Sequence, residues 1–497
     1  MDFFTIKKDL RNKKKIKLDL LVYLIREGGA LQEPILGSKY LKKAKDEDFT
    51  GEFGESFFTY CFREYQNIEF ESILVLGLGS KENIITNSFR KLGAMVFSFS
   101  NSKRYEKIGI ITQGNFIWEE NFYEGFLLST YRFDKYLAAR MKIWIKEIYL
   151  FTEKDCFFDV SKALCDAIMC ARDLINESPS ILNPKSFAMQ IKNKSEEIGL
   201  KVKLLDRDQI ERNGLNLILA VNRGSEYMPY VIRLEYGEAY AGRKKIVLIG
   251  KGVTFDTGGL SIKPLDNMVD MKTDMAGAAI VFSVMSVLAR VRPNIHVIGY
   301  FACVENAIGP KSYRPGDVVY ARDGSTIEIV NPDAEGRLIL ADLIDYAQEK
   351  DSPDILIDIA TLTGSCIVAL GDKIGGVFSN NADLLKFFIK SGNDVGECFA
   401  ELPLTDTLKD QINSSIADIK NSGGYFGGAI TASLFLMHFV KNVSWIHLDI
   451  AGPIKSDKDE YYIKQGATGF SIMTLVNFLV DKIFMIGDKV YERRKKI

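Results

Sequence analysis

Between Lys245 and Ile450 the chain sets short, near-continuous apolar runs against segments of helical spacing, and this alternation constrains the fold more than any other feature. KIVLIG (Lys245–Gly250), NIHVIGYFAC (Asn294–Cys303), DILIDIA (Asp354–Ala360) and WIHLDI (Trp445–Ile450) read as strands, and Ala276–Val291, Leu338–Glu349 and Ala429–Val440 as helices. A strand that is apolar on both sides must be covered on both faces, so the expectation is a sheet flanked by helices. The part before roughly Glu153 alternates runs such as Ser72–Leu78 with polar, helix-compatible segments, which predicts a second, smaller α/β unit. From Val160 to Asn176 the spacing is helical, and Ser-Pro and Asn-Pro steps follow it. At 497 residues and 47% apolar content the chain exceeds one core. The expected division is an N-terminal α/β domain over 1–155, a linker helix over 156–180 and a larger C-terminal α/β domain over 181–497 with a central mixed sheet flanked by helices.

Lys plus Arg number 64 against 65 Asp plus Glu, so no global field draws in a polyanion. Basic residues interrupt every apolar run near the N-terminus before it reaches the length of a signal-peptide core. The apolar stretch Ala276–Val291 is too short to span a bilayer comfortably and reads as a buried helix, so no membrane segment is expected. Seven cysteines without a C-x-x-C pair suit a reducing, cytoplasmic setting. The GLGS turn at Gly77–Ser80 lacks the third glycine of a nucleotide fingerprint and reads as a strand-ending turn.

Chemistry concentrates in two segments. Gly250–Ala279 leaves an apolar strand and carries Lys251, Asp256, Lys263 and Asp274 through a glycine-rich stretch, the kind of strand-end loop where α/β folds collect reactive groups. Val330–Ala347 holds Asp333 and Glu335 two apart, which on extended backbone turns both to one side. Gly336 then permits a turn, with Arg337 just ahead of a helical run. Four carboxylates brought together repel one another and need cations, and divalent metal is the economical answer. Only His296, His438 and His447 are available and no H-E-x-x-H occurs, so the ligands must be mostly oxygen. Such a site suits Mn²⁺ or Mg²⁺ and accepts Zn²⁺, and paired ions about 3.5–4 Å apart can hold a hydroxide nucleophile.

The strings GKGVTFDTGGLSIKP, MKTDMAGAA and NPDAEGRLILAD resemble the signatures of the cytosolic leucine aminopeptidases, the M17 metallopeptidases. DIATLTGSCIVALG, NSGGYFGGAITASLFL, WIHLDIAG and GATGF follow the same family in the same order. The resemblance is strong over about residues 170 to 480 and loose before them. It implies a catalytic C-terminal domain in which Asp256, Asp333 and Glu335 hold the tighter of two divalent ions (Mn²⁺ or Zn²⁺), while Lys251, Asp256, Asp274 and Glu335 hold the more exchangeable one. Lys251 can ligate only as a neutral amine, which neighbouring dications would favour. The resemblance further implies that Lys263 is a cation stabilising the oxyanion and that Arg337 holds a bicarbonate general base. Met271, Thr361, Gly364 and Ala451 would line an apolar pocket for the first, Leu-like side chain. The substrate would be an unblocked peptide, its free α-amine taken by the exchangeable metal, and the assembly a homohexamer.

Pro332 departs from the family's usual Thr, and the stretch SGGYFGG lacks the arginine common there. The lost N–H could shift the approach of Asp333. His296 and His447, inside apolar strands, read as core or partner-facing histidines, and Cys366 has no accompanying base that would make it a nucleophile. Some bacterial relatives bind DNA, but the basic cluster Lys7, Lys8, Arg11, Lys13, Lys14, Lys15 and Lys17 and the tail Arg493–Lys496 read as solvated termini, so DNA binding is not expected. Two rival readings are a binding or assembly protein on the same fold, against which the seven intact residues argue, and a two-metal phosphatase, against which Lys251 as a ligand argues.

Overall fold

The computed structural model describes residues 5–8, 15–29, 38–65, 67–80, 85–112, 119–151, 158–237 and 244–482. They fall into two compact units, one within Met1–Cys165 plus Asp459–Lys464 and one within Asp166–Lys458 plus Gln465–Tyr491. The division falls inside the helix Phe158–Asn176.

The first unit is built on a six-stranded sheet in the order Thr5–Lys8, Glu147–Leu150, Lys107–Thr112, Ile16–Ile25, Ile68–Gly77, Ser56–Tyr65, parallel except at the last pair. Alternation along Ile16–Ile25 sends Leu20, Val22 and Leu24 to one face, where they meet Phe89, Leu92 and Val96 of the helix Thr86–Ser102 and Phe122 and Phe126 of Glu119–Ser129. Leu21, Tyr23 and Ile25 go to the other face, with Phe57, Ile73 and Val75.

The GLGS segment in this unit is a strand-ending turn whose backbone is already engaged. Gly77 N–H donates to Glu55 O (2.9 Å) and Gly79 N–H to Gly51 O (3.0 Å). The adjoining loop has an anion-binding nest, the N–H groups of Thr50, Gly51 and Glu52 converging on Oε2 of Glu55 at 2.9, 2.8 and 3.2 Å. Burial is the largest single influence on Glu55 and opposes its charge, but the Thr50 hydroxyl and these N–H groups together outweigh it and hold its carboxyl below the ordinary value. A depressed folded pKa means that the unfolded state binds more protons, so this stabilisation is present above the unfolded value and is lost as pH falls through the folded one. Glu55→Gln should therefore lower the unfolding midpoint near pH 7, by the equivalent of less than about 1 kcal/mol because solvent screens this surface carboxylate. The deficit should shrink near pH 4; thermal melts showing an equal deficit at both values would contradict this account.

The second unit carries a nine-stranded mixed sheet. Its order is Cys398–Glu401, Ile374–Ser379, Ser444–Asp449, Ile355–Ala360, Lys245–Gly250, His296–Asn306, Tyr230–Tyr236, Lys201–Leu205, with Val253–Asp256 added alongside the end of His296–Asn306. The four central strands are mutually parallel. Their apolar side chains are buried on both faces. Val247, Ile249, Ile298 and Leu356 share a core with Leu338, Ile339 and Leu343 of the helix Glu335–Asp351. The helix Ala276–Val291 packs on Lys245–Gly250, His296–Asn306 and Ile355–Ala360, and the space left by Gly299 is filled by Val281 and Met285. Met271–Val291 is a continuous helical run long and apolar enough to cross a membrane, longer than the sequence suggested because a 3₁₀ turn precedes the α-helix; most of it is buried in this core.

The strand Ser444–Asp449 places Trp445, His447 and Asp449 on one face. Asp358, in register with His447, takes its Nδ1 at 2.6 Å and accepts from Trp445 Nε1 at 2.7 Å. His296 is likewise partnered, by Glu235 at 3.0 Å. Both are core histidines. None of the described cysteines is disulfide-bonded. Of the basic cluster, Lys15 pairs with Glu64 and with Glu69. Arg11, Lys13, Lys14 and Arg493–Lys496 lie outside the described residues.

Candidate metal centre

The central parallel strands end together, and each end hands over a polar residue. Lys245–Gly250 leads into Lys251, whose N–H donates to Ile359 O (3.0 Å) and whose carbonyl accepts from Ala278 N (2.9 Å). That approach requires glycine at 277, because a Cβ there would stand 2.1 Å from Ile359 O and 2.7 Å from Lys251 N, both backbone atoms. Val253–Asp256 delivers Asp256 opposite Asn306. The 3₁₀ turn Met271–Met275 carries Asp274. Glu335 opens the helix Glu335–Asp351, where the unsatisfied N–H groups of the helix terminus favour its charge.

The helix thus begins earlier than the spacing predicted. Glu335, Gly336 and Arg337 form its first turn, so Gly336 is not a turn residue and Arg337 is inside the helix. The absence of a side chain at 336 serves Lys251 instead, since a Cβ would fall 2.6 Å from Lys251 Cε.

The charged groups interlock. Lys251 Nζ lies 2.8 Å from Asp274 Oδ1 and 2.8 Å from Glu335 Oε1, and 3.1 Å from Thr361 O. Lys263 Nζ lies 2.8 Å from Asp256 Oδ2 and 2.5 Å from Asp333 Oδ1. Lys251, Asp256, Asp274 and Glu335 are buried, Asp333 only partly. Burial raises the Asp256 carboxyl well above its ordinary value, aided by Glu335 and Asp274, and pushes Asp274 up to about 6 against the pull of Lys251. Burial also dominates the rise at Asp333. At Glu335 burial pushes upward, but the ammonium groups of Lys251 and Lys263 outweigh it and hold the carboxyl below its ordinary value. For Lys251 burial pulls downward, and the carboxylates of Asp274, Glu335 and Asp256 more than reverse it. Among the protein's own groups the balance favours the ammonium, so a neutral ligating amine would need the added positive field of bound cations.

These residues fit divalent metal. One carboxylate oxygen from each of Asp256, Asp333 and Glu335 lies within 4.8 Å of the others. Oδ2 of Asp274 is buried without a hydrogen-bond partner, and Oδ1 of Asp333 and Oε1 of Glu335 sit at ion-pair distance from lysine but out of hydrogen-bonding alignment. Buried anionic oxygens short of donors are what a cation satisfies. Four carboxylates face two lysines, so further positive charge is accommodated.

Arg337 is buried and donates from Nη1 to Asn421 O (2.9 Å). Burial lowers its guanidinium to about 10, despite Glu335 and Asp449. Of the predicted pocket residues, Thr361 and Ala451 follow the ends of neighbouring parallel strands, and Met271 shares its 3₁₀ turn with Asp274, which accepts from Thr361 Oγ1 at 2.8 Å. Gly364 is exposed, and a Cβ there would meet nothing within 4 Å. Cys366 is buried, and burial pushes its thiol up to about 12, which suits packing and not nucleophilic attack.

Sequence reasoning missed Asn306, Tyr313 and Asn421. Asn306 Nδ2 donates to Asp256 Oδ1 (2.7 Å) and to Pro332 O (3.0 Å), and Tyr313 Oη donates to the same carbonyl (2.6 Å). The approach of Asp333 is thus set through the Pro332 carbonyl, with Asp333 N–H donating to Asn331 Oδ1 (3.0 Å), so no N–H is needed at 332. The one available signal was Asn306, a polar residue closing an apolar strand.

Residues 169–476 match the model of the cytosol aminopeptidase family, catalytic domain, and residues 26–139 that of the same family's N-terminal domain. A probable cytosol aminopeptidase of Wolbachia pipientis is 37% identical, over 93% of this chain and 92% of that protein. One of Aquifex aeolicus is 38% identical over 82% and 84%. Among solved structures, the bottromycin maturation enzyme BotP in complex with Mn aligns with a TM-score of 0.84 at 29% identity, covering 94% of this chain and 99% of that one. A mutant tomato leucine aminopeptidase aligns at 0.83 and 28%, covering 96% of each. With two family models matched in order and the carboxylate and lysine cluster assembled at the strand ends, the chain belongs to the cytosol aminopeptidase family, the M17 metallopeptidases.

Proposed function

We propose that this metal-dependent aminopeptidase uses two divalent ions, Mn²⁺ or Zn²⁺, to release a Leu-like first residue from unblocked peptides. The observation that carries this is the convergence of Lys251, Asp256, Asp274 and Glu335, buried, with Asp333 beside them at the ends of parallel strands. Asp256, Asp333 and Glu335 would hold one ion, and Lys251, Asp256, Asp274 and Glu335 the other. When bound, such ions supply Lewis acidity toward the scissile carbonyl and a lowered pKa for the attacking water. Lys263, whose ammonium is held between Asp256 and Asp333, would offer positive charge to the developing oxyanion. Arg337, buried and with its Nε lacking a hydrogen-bond partner, would hold a bicarbonate, which would supply a general base. Thr361, Gly364, Ala451 and Met271 would receive the first side chain, and the requirement for a free α-amine would make the enzyme an exopeptidase.

The family reading further supports a homohexamer acting in intracellular peptide turnover, with domain limits at 1–155, 156–180 and 181–497. Turnover of leucine-p-nitroanilide and p-nitrophenyl phosphate, measured with added Mn²⁺ and then with chelator, tests the activity. Chelator-sensitive release of nitroaniline and none of nitrophenol is the expected result. Phosphate ester hydrolysis alone would favour a phosphatase, and inertness toward both a binding role.

A further inference from the structure

One buried carboxylate joins the loops of the proposed pocket, and neither the metal cluster nor the oxyanion accounts for it. Asp449 closes the strand Ser444–Asp449, in register with Ala360, and is wholly buried. Its Oδ1 accepts from Leu362 N–H and from Ala451 N–H, both at 3.2 Å, and its Oδ2 accepts from Thr363 Oγ1 at 2.7 Å. Leu362 and Thr363 stand between Thr361 and Gly364, and Ala451 is itself a pocket residue. Thr363 also accepts from Cys366 N–H at 3.1 Å, which caps the helix Gly364–Leu370. At the near end of the same loop, Thr361 O faces Lys251 Nζ and Thr361 Oγ1 donates to Asp274. The segment from Thr361 to Gly364 is therefore held at one side by the metal cluster and at the other by Asp449. The carboxylate is a staple between the two strand ends.

We infer that Asp449 is a positioning residue for substrate selection: it sets the spacing of the Thr361–Gly364 loop from Ala451 and thereby the width of the pocket for the first side chain. The inference rests on the pocket assigned above. Asparagine at 449 keeps an oxygen for the two N–H groups but leaves the Thr363 hydroxyl without its acceptor, whereas alanine releases all three donors. Asp449→Ala and Asp449→Asn are to be compared with the wild type on leucine- and alanine-p-nitroanilide, with kcat and KM measured separately, metal content determined and melting recorded. Asp449→Ala should raise KM for the leucine substrate about tenfold and reduce the leucine-to-alanine preference in kcat/KM by a similar factor, with metal content unchanged. Asp449→Asn should recover most of the preference. Lower melting temperature in Asp449→Ala with KM and preference unchanged would overturn the inference, because a purely structural role moves only the fraction folded. So would a preference lost equally in both variants. A wild type that cleaves neither substrate would defeat the assignment of the pocket itself, a result distinct from any difference among active variants.

Discussion

Asp256→Ala is expected to cost at least about a thousandfold in kcat/KM, roughly 4 kcal/mol of transition-state stabilisation, and to leave the purified protein deficient in bound metal. Asp256 faces Lys263 and Asn306 and lies within reach of Asp333 and Glu335, so its removal takes a donor from both proposed ions. The loss should not come mainly from unfolding. Removing Asp256 relieves its repulsion with Glu335 and Asp274 but leaves Asn306 Nδ2, the Gly258 N–H and Lys263 without this acceptor, so activity and metal content are to be expressed per folded protein, and the loss should far exceed any fall in the folded fraction. Metal analysis after dialysis against Mn²⁺ or Zn²⁺ checks the first part; full metal content in the variant would contradict the assignment of Asp256 as a shared ligand.

Lys263→Ala should behave differently. Its ammonium pairs with Asp256 and Asp333 but occupies no ligand position in the proposal. The variant should therefore retain metal while kcat falls about 10²–10³-fold, the usual consequence of deleting one charge aimed at a developing oxyanion. KM should change far less, since an interaction made mainly in the transition state contributes little to ground-state binding. Equal metal loss in the two variants would mean that Lys263 maintains the ligand geometry rather than stabilising the oxyanion.

The main elements of the second unit were legible because their strands are buried on both faces and announce themselves as continuous apolar runs. Lys245–Gly250 lies where the periodicity placed it, and the other three central strands shift by one to three residues. Two of the three helix starts, at Ala276 and at Ala429, lie on or within one residue of the observed ones, and the third was less legible. The helix at Glu335 begins three residues before its apolar pattern, because its first turn, Glu335, Gly336 and Arg337, offers no apolar side chain to the period. The GLGS segment shows the complementary case, in which a short motif is compatible with a ligand until the loop beside it supplies its own anion, Glu55.

What the sequence alone determined is the inventory: which carboxylates and lysines lie between the buried strands and helices, and in which order, since local spacing and burial pattern are written in neighbouring residues. What the tertiary structure decided is which groups meet. Gly336 clears space for Lys251, Pro332 is anchored through its carbonyl by Asn306 and Tyr313, and Asp449 joins the 362–363 loop to Ala451. Each of these pairs residues distant in the chain that come within bonding reach only once the parallel strands are aligned, and hydrogen bonds and steric clearance depend on that distance, to which a linear pattern carries no signal.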